Sequence, residues 1–270
     1  MNKFEELYKI PLKAIISASE AIMHVYNHEF EKIKKADGSP LTEADLKSSQ
    51  IIRSFLKETN IPITGEEVKK ADFSERKNWS KCWCIDPLDG TKEFIKKNGE
   101  FVVNIALIEN QKPIFGIIAS PVLEEIIMGG PEFGAFHFSY NDKNNPENWR
   151  KLPAINSLNN PITLISSRSH YSGDLLSLVE FIEKKYDKVT SKKMGSALKF
   201  FDLVLGKADI YPRFAPTMEW DIAAGQAIYE AVGGEVLQRG TGKPLTYNKE
   251  DLTNPFFVAS KKIIPIHLTN

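Results

Sequence analysis

Between Lys81 and Phe138 the chain carries short apolar runs, CWCID, FVVNIALIE, PIFGIIAS, EEIIMGG and GAFHF, separated by turn signals such as Glu109-Asn110-Gln111-Lys112-Pro113. Runs of this length, rich in Val, Ile and Phe and bounded by Gly, Pro and Asn, read as strands. Joined by such short connections, they predict an antiparallel meander. Ahead of it, Phe4, Leu7, Leu12, Ile15, Ile16, Ala18, Ile22 and Val25 recur at helical spacing within residues 3–28, and Pro11 predicts a break or a late start. A second helix is signalled at Thr42-Glu43-Ala44-Asp45, where Thr42 can cap and Asp45 stands three residues on, followed by Leu46, Ile51, Ile52 and Phe55. The meander is therefore expected to pack under two helices.

The polar stretch Asn141–Arg150, NDKNNPENWR, is the best linker candidate, and it divides an α+β domain (1–150) from an α/β domain (151–270). Beyond it strand and helix signals alternate: PITLISS, helices near 173–186, 195–206 and 219–232, and the runs ADIYP, GEVLQ and PFFVAS. With 270 residues and 42% hydrophobic content the chain can bury a core in each half. Its 35 basic and 35 acidic side chains balance, which argues against a partner that is a nucleic acid polymer but leaves phosphorylated small molecules open. The opening MNKFEELYKI lacks the apolar stretch of a secretory signal, and no run of about 18 apolar residues occurs. A cytoplasmic protein with no obligatory membrane partner is expected. Cys82 and Cys84 are expected on opposite faces of a strand, as packing residues and not as a disulfide or zinc site.

The chemistry concentrates in Ile85-Asp86-Pro87-Leu88-Asp89-Gly90-Thr91-Lys92-Glu93-Phe94, where an apolar strand runs into two aspartates, then Gly-Thr, then a helix start. Helix N-terminal amides attract a phosphate, whereas paired carboxylates call for a cation, since like charges this close cannot all ionise unaided. An oxygen-ligated ion such as Mg²⁺ would satisfy both. Two readings stand at this point: a metal site, or a strand-to-helix turn whose aspartates are caps. Two further acidic signals favour the metal. Thr64-Gly65-Glu66-Glu67 sets carboxylates at another strand end, and Glu219-Trp220-Asp221-Ile222-Ala223-Ala224-Gly225 places an Asp beside a large aromatic at the start of an Ala/Gly-rich helix.

Taken together, Gly65-Glu66-Glu67, Asp86-Pro87-Leu88-Asp89-Gly90-Thr91 and Trp220-Asp221-Ile222-Ala223-Ala224-Gly225 resemble the inositol monophosphatase-like superfamily of magnesium-dependent, lithium-sensitive phosphatases. Residues 35–45, Lys92-Glu93-Phe94, Ser167-Arg168-Ser169-His170, Gly195-Ser196-Ala197-Leu198-Lys199-Phe200 and Tyr211-Pro212-Arg213-Phe214 are similar, within it, to the CysQ-type 3′(2′),5′-bisphosphate nucleotidases. The resemblance implies an α/β fold, a layered αβαβα sandwich of the sugar-phosphatase type, and monomers or homodimers. It implies that Glu66, Asp86 (bridging), the main-chain carbonyl of Leu88, Asp89 and Asp221 ligate two or three Mg²⁺ ions, with Asp37 finishing the site. Thr91 paired with Asp45 would stand near a metal-activated water, and the amides of Gly90 and Thr91 would hold the phosphate. His170, Ser196, Lys199 and Arg213 would meet the nucleoside and second phosphate, although Lys199 and Arg213 also read as ordinary solvated residues and Ser196 as a helix cap. The implied activity is a cytoplasmic phosphomonoesterase, at most loosely associated with the inner membrane, that converts adenosine 3′,5′-bisphosphate to AMP and clears a by-product of sulfate activation. The same chemistry on inositol phosphate or fructose 1,6-bisphosphate, and a non-catalytic nucleotide- or metal-sensing module, are the alternatives.

Two motifs are discounted. His24 and His28 lie one helical turn apart but lack the zincin glutamate, and Gly240-Thr241-Gly242-Lys243 is followed by Pro244 where a P-loop needs Ser or Thr, so a hairpin turn is expected.

Overall fold

The computed structural model describes residues 3–35, 38–166, 173–186, 188–262 and 264. The N-terminal periodicity becomes one helix, α1 (Lys3–Tyr26), which buries Tyr8, Leu12, Ile15 and Ile22. It does not break at Pro11, which lies inside the helix and is itself buried. Proline forfeits one backbone bond there, and the apolar face buried on both sides of it keeps the helix continuous. A two-stranded ladder of β1 (Lys32–Lys34) and β2 (Pro40–Thr42) leads into α2 (Glu43–Leu56). The Asp45 carboxylate accepts the Thr42 N–H at 2.7 Å and the Thr42 hydroxyl at 2.6 Å, fixing the start of α2 where the sequence places it.

Next come β3 (Ile63–Gly65), the single turn α3 (Phe73–Arg76), β4 (Lys81–Asp89), α4 (Thr91–Ile95), β5 (Val102–Glu109), β6 (Lys112–Ser120), β7 (Glu125–Gly130), β8 (Gly134–Ser139) and β9 (Arg150–Leu152). These strands form one sheet in the order β3-β4-β5-β6-β7-β8-β9, parallel only between β3 and β4. The expected meander is present with an extra strand at each edge. Residues 141–149 are not a free linker. Trp149 is buried, stacks on Phe138 with centroids 4.4 Å apart, and donates its indole N–H to the Asp142 carbonyl at 2.8 Å. The polar residues do mark a loop, but one aromatic anchor and the β9 ladder fasten it to the sheet.

The second half runs β10 (Ile162–Ser166), α5 (Gly173–Tyr186), β11 (Val189–Lys193), α6 (Leu198–Val204), β12 (Ile210–Arg213), α7 (Glu219–Ala231), β13 (Gly234–Gln238) and β14 (Phe257–Lys261). Its sheet order is β11-β10-β12-β14-β13, with β11, β10 and β12 parallel and β14 antiparallel to both neighbours. Strand β11, VTSKK, has no signal in the sequence, because it lies mostly exposed at a sheet edge and carries no apolar alternation.

Three apolar clusters set the layers. Helices α1 and α2 cover the outer face of the first sheet. Helices α6 and α7 fill the space between the inner faces of the two sheets, where Trp220, Ala224 and Tyr229 share a core with Cys84, Ala106 and Ile118 on one side and with Tyr211, Val236 and Phe257 on the other. Helix α5 covers the outer face of the second sheet. The result is the αβαβα sandwich. Close packing between α6 and α7 depends on Gly225, where a Cβ would come within 2.2 Å of the Phe200 ring. Cys82 and Cys84 correct the sequence reading: residues two apart share a face of a strand, and both thiols are buried, free and on the α7 side. Residues 238–243 form the expected turn, closed by the Gln238 N–H to the Lys243 carbonyl at 2.8 Å. Among the described residues no helix is long and apolar enough to cross a membrane.

Candidate active site

Two residues three apart in a regular strand point to opposite faces. Asp86 and Asp89 escape that rule through a bulge. Asp86 pairs with Asn104 and Asp89 with Val102, and the register shifts between them, so β4 advances three residues while β5 advances two. The extra residue returns Asp89 to the face of Asp86, toward α7. Ser48 in α2 secures the bulge by donating its hydroxyl to the Pro87 carbonyl at 2.7 Å. Asp221 meets this face from the first turn of α7, where it accepts the Met218 N–H at 2.9 Å. Glu66 arrives from the end of β3, and its N–H donates to the Ile85 carbonyl at 3.2 Å. Gly65 makes that approach possible, since a Cβ there would lie 2.2 Å from the Ile85 carbonyl oxygen.

The turn after Asp89 needs glycine for a different reason. Gly90 sits at φ 102 as the N-cap of α4, in the left-handed region that residues with a Cβ avoid. It delivers Thr91, whose hydroxyl donates to Asp45 at 2.9 Å. Burial pushes the Asp45 carboxyl up to about 6, against the hydrogen bonds from Thr42 and Thr91 that favour its charged form.

Burial also raises Asp86, Asp89 and Asp221 above the ordinary carboxylate range. For Asp86 the charges of Glu66, Asp89 and Asp221 add to the effect, and for Asp221 that of Asp89 does. Four carboxylates thus repel one another across a common space, and all the donors they offer are oxygens, the chemistry of a Mg²⁺ site and not of zinc. Among the described residues no three acidic, histidine or cysteine side chains already stand in a ligating array. Their oxygens are held instead by protein donors: Asp86 by the Leu88 N–H at 3.1 Å, Asp89 by the Ala197 N–H at 2.5 Å and Asn104 at 3.4 Å, and Glu66 by Lys35 at 2.7 Å. Mutual repulsion inside an oxygen-only donor set fits a divalent cation, and Glu66, Asp86, Asp89, Asp221 and the Leu88 carbonyl are the groups that could hold one.

Beside the carboxylates opens a cleft of about 140 Å³, which Asp89 and Asp221 share with Ser196, Lys199, Tyr211 and Arg213. Lys199 is not a solvated lysine: it is buried, and its ammonium donates to the carbonyls of Ser196 at 2.5 Å and Met194 at 3.2 Å. Burial lowers it to about 8, partly countered by Asp89. Arg213 donates to the Pro216 carbonyl at 3.0 Å, while its buried Nε–H has no partner among the described residues. Ser196 is not the N-cap of α6, a position Ala197 holds, but its hydroxyl accepts the Leu198 N–H at 3.2 Å and it lines the cleft from a left-handed conformation at φ 43. His170 and Asp37 lie outside the described residues.

The sequence assigns no role to Lys35, which opens the 35–45 motif and also pairs with Glu67, or to Asn104. Lys35 had a signal in its place just ahead of the capped helix; Asn104 had none, because its role comes from cross-strand register alone. The profile of the inositol monophosphatase family matches residues 3–264. The chain belongs to that family. It is 39% identical over 249 residues to the 3′(2′),5′-bisphosphate nucleotidase CysQ of Shigella flexneri, covering 90% of this chain and 95% of the relative. With CysQ of Buchnera aphidicola the identity is 42% over 238 residues, 86% of this chain and 84% of the relative. The crystal structure of CysQ from Bacteroides thetaiotaomicron superposes with a TM-score of 0.86 at 40% identity, covering 96% of this chain and 98% of that one. At such identity and coverage the chain is an enzyme of this family, a phosphatase. The SuhB protein of Bartonella henselae, 21% identical with a TM-score of 0.77, shares the family fold.

Proposed function

We propose that this enzyme is a Mg²⁺-dependent phosphomonoesterase that removes the 3′-phosphate of adenosine 3′,5′-bisphosphate, yielding AMP and phosphate. The observation that carries the reading is the mixed lining of one cleft: Asp89 and Asp221, which could hold a cation, together with Lys199 and Arg213, which could meet a second phosphate. The relatives named as bisphosphate nucleotidases support the same substrate class. When bound, Mg²⁺ would neutralise phosphate oxygens and lower the pKa of an attacking water. The chain's own residues do the rest. The Thr91 hydroxyl donates a hydrogen bond to Asp45, which leaves the oxygen's lone pairs free to accept a hydrogen bond from that water and fix its orientation. Asp45, ionised above about pH 6, keeps the threonine in this donor role. The first N–H groups of α4, at Gly90 and Thr91, have no helical partner and would receive the transferred phosphoryl oxygens. Arg213 contributes a planar fork and Lys199 a point charge to the remaining phosphate.

The test is a phosphate-release panel on adenosine 3′,5′-bisphosphate, inositol 1-phosphate and fructose 1,6-bisphosphate, with Mg²⁺ and with EDTA. Turnover abolished by EDTA, with kcat/KM at least tenfold higher on the nucleotide, is expected. A preference for either of the other substrates would reject the substrate reading, and EDTA-resistant turnover would reject the metal.

A further inference from the structure

The loop that brings Gly195, Ser196 and Ala197 to the cleft is itself held by the first half of the chain. Residues 194–197 precede α6, and two of their N–H groups end on carboxylates of the other half: Gly195 on Glu100 at 2.8 Å and Ala197 on Asp89 at 2.5 Å. Between them Ser196 is fixed in its left-handed conformation, and Lys199 ties the loop's carbonyls from behind. No slack exists around this contact. A Cβ on Gly195 would stand 2.8 Å from Glu93 Cγ and 3.1 Å from the Glu100 carboxylate, and one on Gly90 would stand 2.9 Å from the Glu100 carbonyl and 3.2 Å from Ser196 Cβ. Glu100 therefore sits in the corner where the Gly90 turn meets the Ser196 loop.

From this geometry we infer that Glu100 is a positioning residue: by anchoring Gly195 it sets where Ser196 and Lys199 stand relative to Asp89, and so governs recognition of the nucleotide and its second phosphate but not the hydrolytic step. The inference rests on the substrate reading above. A carboxylate acceptor on a backbone N–H is among the stronger hydrogen bonds, and its loss frees the Gly195 end of the loop while the Ala197 N–H stays on Asp89 and Thr91 stays on Asp45. Asp89 serves both the metal side and Ala197, whereas Glu100 serves the loop from outside that set.

The test compares wild type with Glu100→Gln, Glu100→Ala and Glu100→Asp in the full chain with Mg²⁺. The substrates are adenosine 3′,5′-bisphosphate and p-nitrophenyl phosphate, which lacks both the nucleoside and the second phosphate. Glu100→Ala is expected to raise KM for the bisphosphate about tenfold or more, with kcat within threefold, and to leave p-nitrophenyl phosphate kinetics within threefold. Glu100→Asp, one methylene too short to reach, should behave like Glu100→Ala. Glu100→Gln keeps an acceptor oxygen and should recover most of the loss. Hydrogen exchange of the Gly195 amide should quicken in the Ala and Asp variants and not in Gln, a readout independent of turnover. Wild-type KM in Glu100→Ala, or equal losses on both substrates, would overturn the inference alone. Wild-type enzyme that ignores the bisphosphate would overturn the substrate reading and this inference with it.

Discussion

Arg213 lines the cleft and donates to the Pro216 carbonyl, and among the described residues its buried Nε–H is unmatched. A buried guanidinium N–H without an acceptor is costly, and a phosphate would relieve that cost. Replacing Arg213 with Ala is therefore expected to raise KM for adenosine 3′,5′-bisphosphate by roughly ten- to a hundredfold, the scale of a lost charge-assisted hydrogen bond. It should change kcat/KM for p-nitrophenyl phosphate by less than threefold, and equal losses on the two would remove Arg213 from the second-phosphate pocket. At this scale the acids were the legible part. Asp86, Asp89, Glu66 and Asp221 announce themselves because charged residues at the ends of apolar runs need a reason to be there. Lys199 was harder, since a lysine in a helix looks solvated until tertiary packing shows it buried beside Asp89. Glu100 and Asn104 were invisible, because each acts only through a partner brought near by the fold.

At the scale of elements, most of what positions the site lies in one bulge and one close strand contact. Both depend on features that pattern reading treats as punctuation. The sequence marks a strand-to-helix turn at Asp89-Gly90, but which face Asp89 takes follows only from the register of β4 on β5. The same register logic places Cys82 and Cys84 on one face. Pro11 reads as a breaker in sequence and β11 gives no strand signal, in each case because burial or edge position outweighs local preference. Gly65 shows how tightly an element can be tied to function. A methyl there would meet the Ile85 carbonyl oxygen at 2.2 Å, so β3 must separate from β4 and carry Glu66 with it. Gly65→Ala is expected to raise the Mg²⁺ concentration for half-maximal activity at least tenfold, with the far-UV circular dichroism of wild type retained. A variant activated by Mg²⁺ like wild type would show that the strand pair can absorb the methyl without moving Glu66.

On the scale of the whole molecule, the sandwich buries a cluster of like charges where its layers meet. Asp86, Asp89 and Asp221 come from β4 and α7, on either side of the inner layer boundary, and each is raised above the ordinary carboxylate value of 3.8, first by burial. Between that unfolded value and the raised folded ones, the folded chain binds more protons than the unfolded chain. The cluster's contribution to stability is thus fully present below the unfolded value and is lost as pH rises toward neutrality. A divalent cation reverses the sign, because it binds the ionised carboxylates and competes with their protons. Three measurements follow from one argument. In EDTA, wild type should lose thermal stability between pH 5 and pH 8 more steeply than Asp86→Asn, which lacks one of the repelling charges. The two should converge in acid, and at pH 8 the metal-free variant should melt higher despite having lost activity. Mg²⁺ at one fixed concentration, about a hundred times the wild-type Kd at pH 8, should then raise the wild-type melting temperature at pH 8 by roughly 5–10 °C, should raise it less at pH 6, and should raise that of Asp86→Asn far less. If metal-free wild type and Asp86→Asn melted in parallel across this range, Asp86 would not be a buried acid under mutual repulsion. The cation would then have to be held elsewhere.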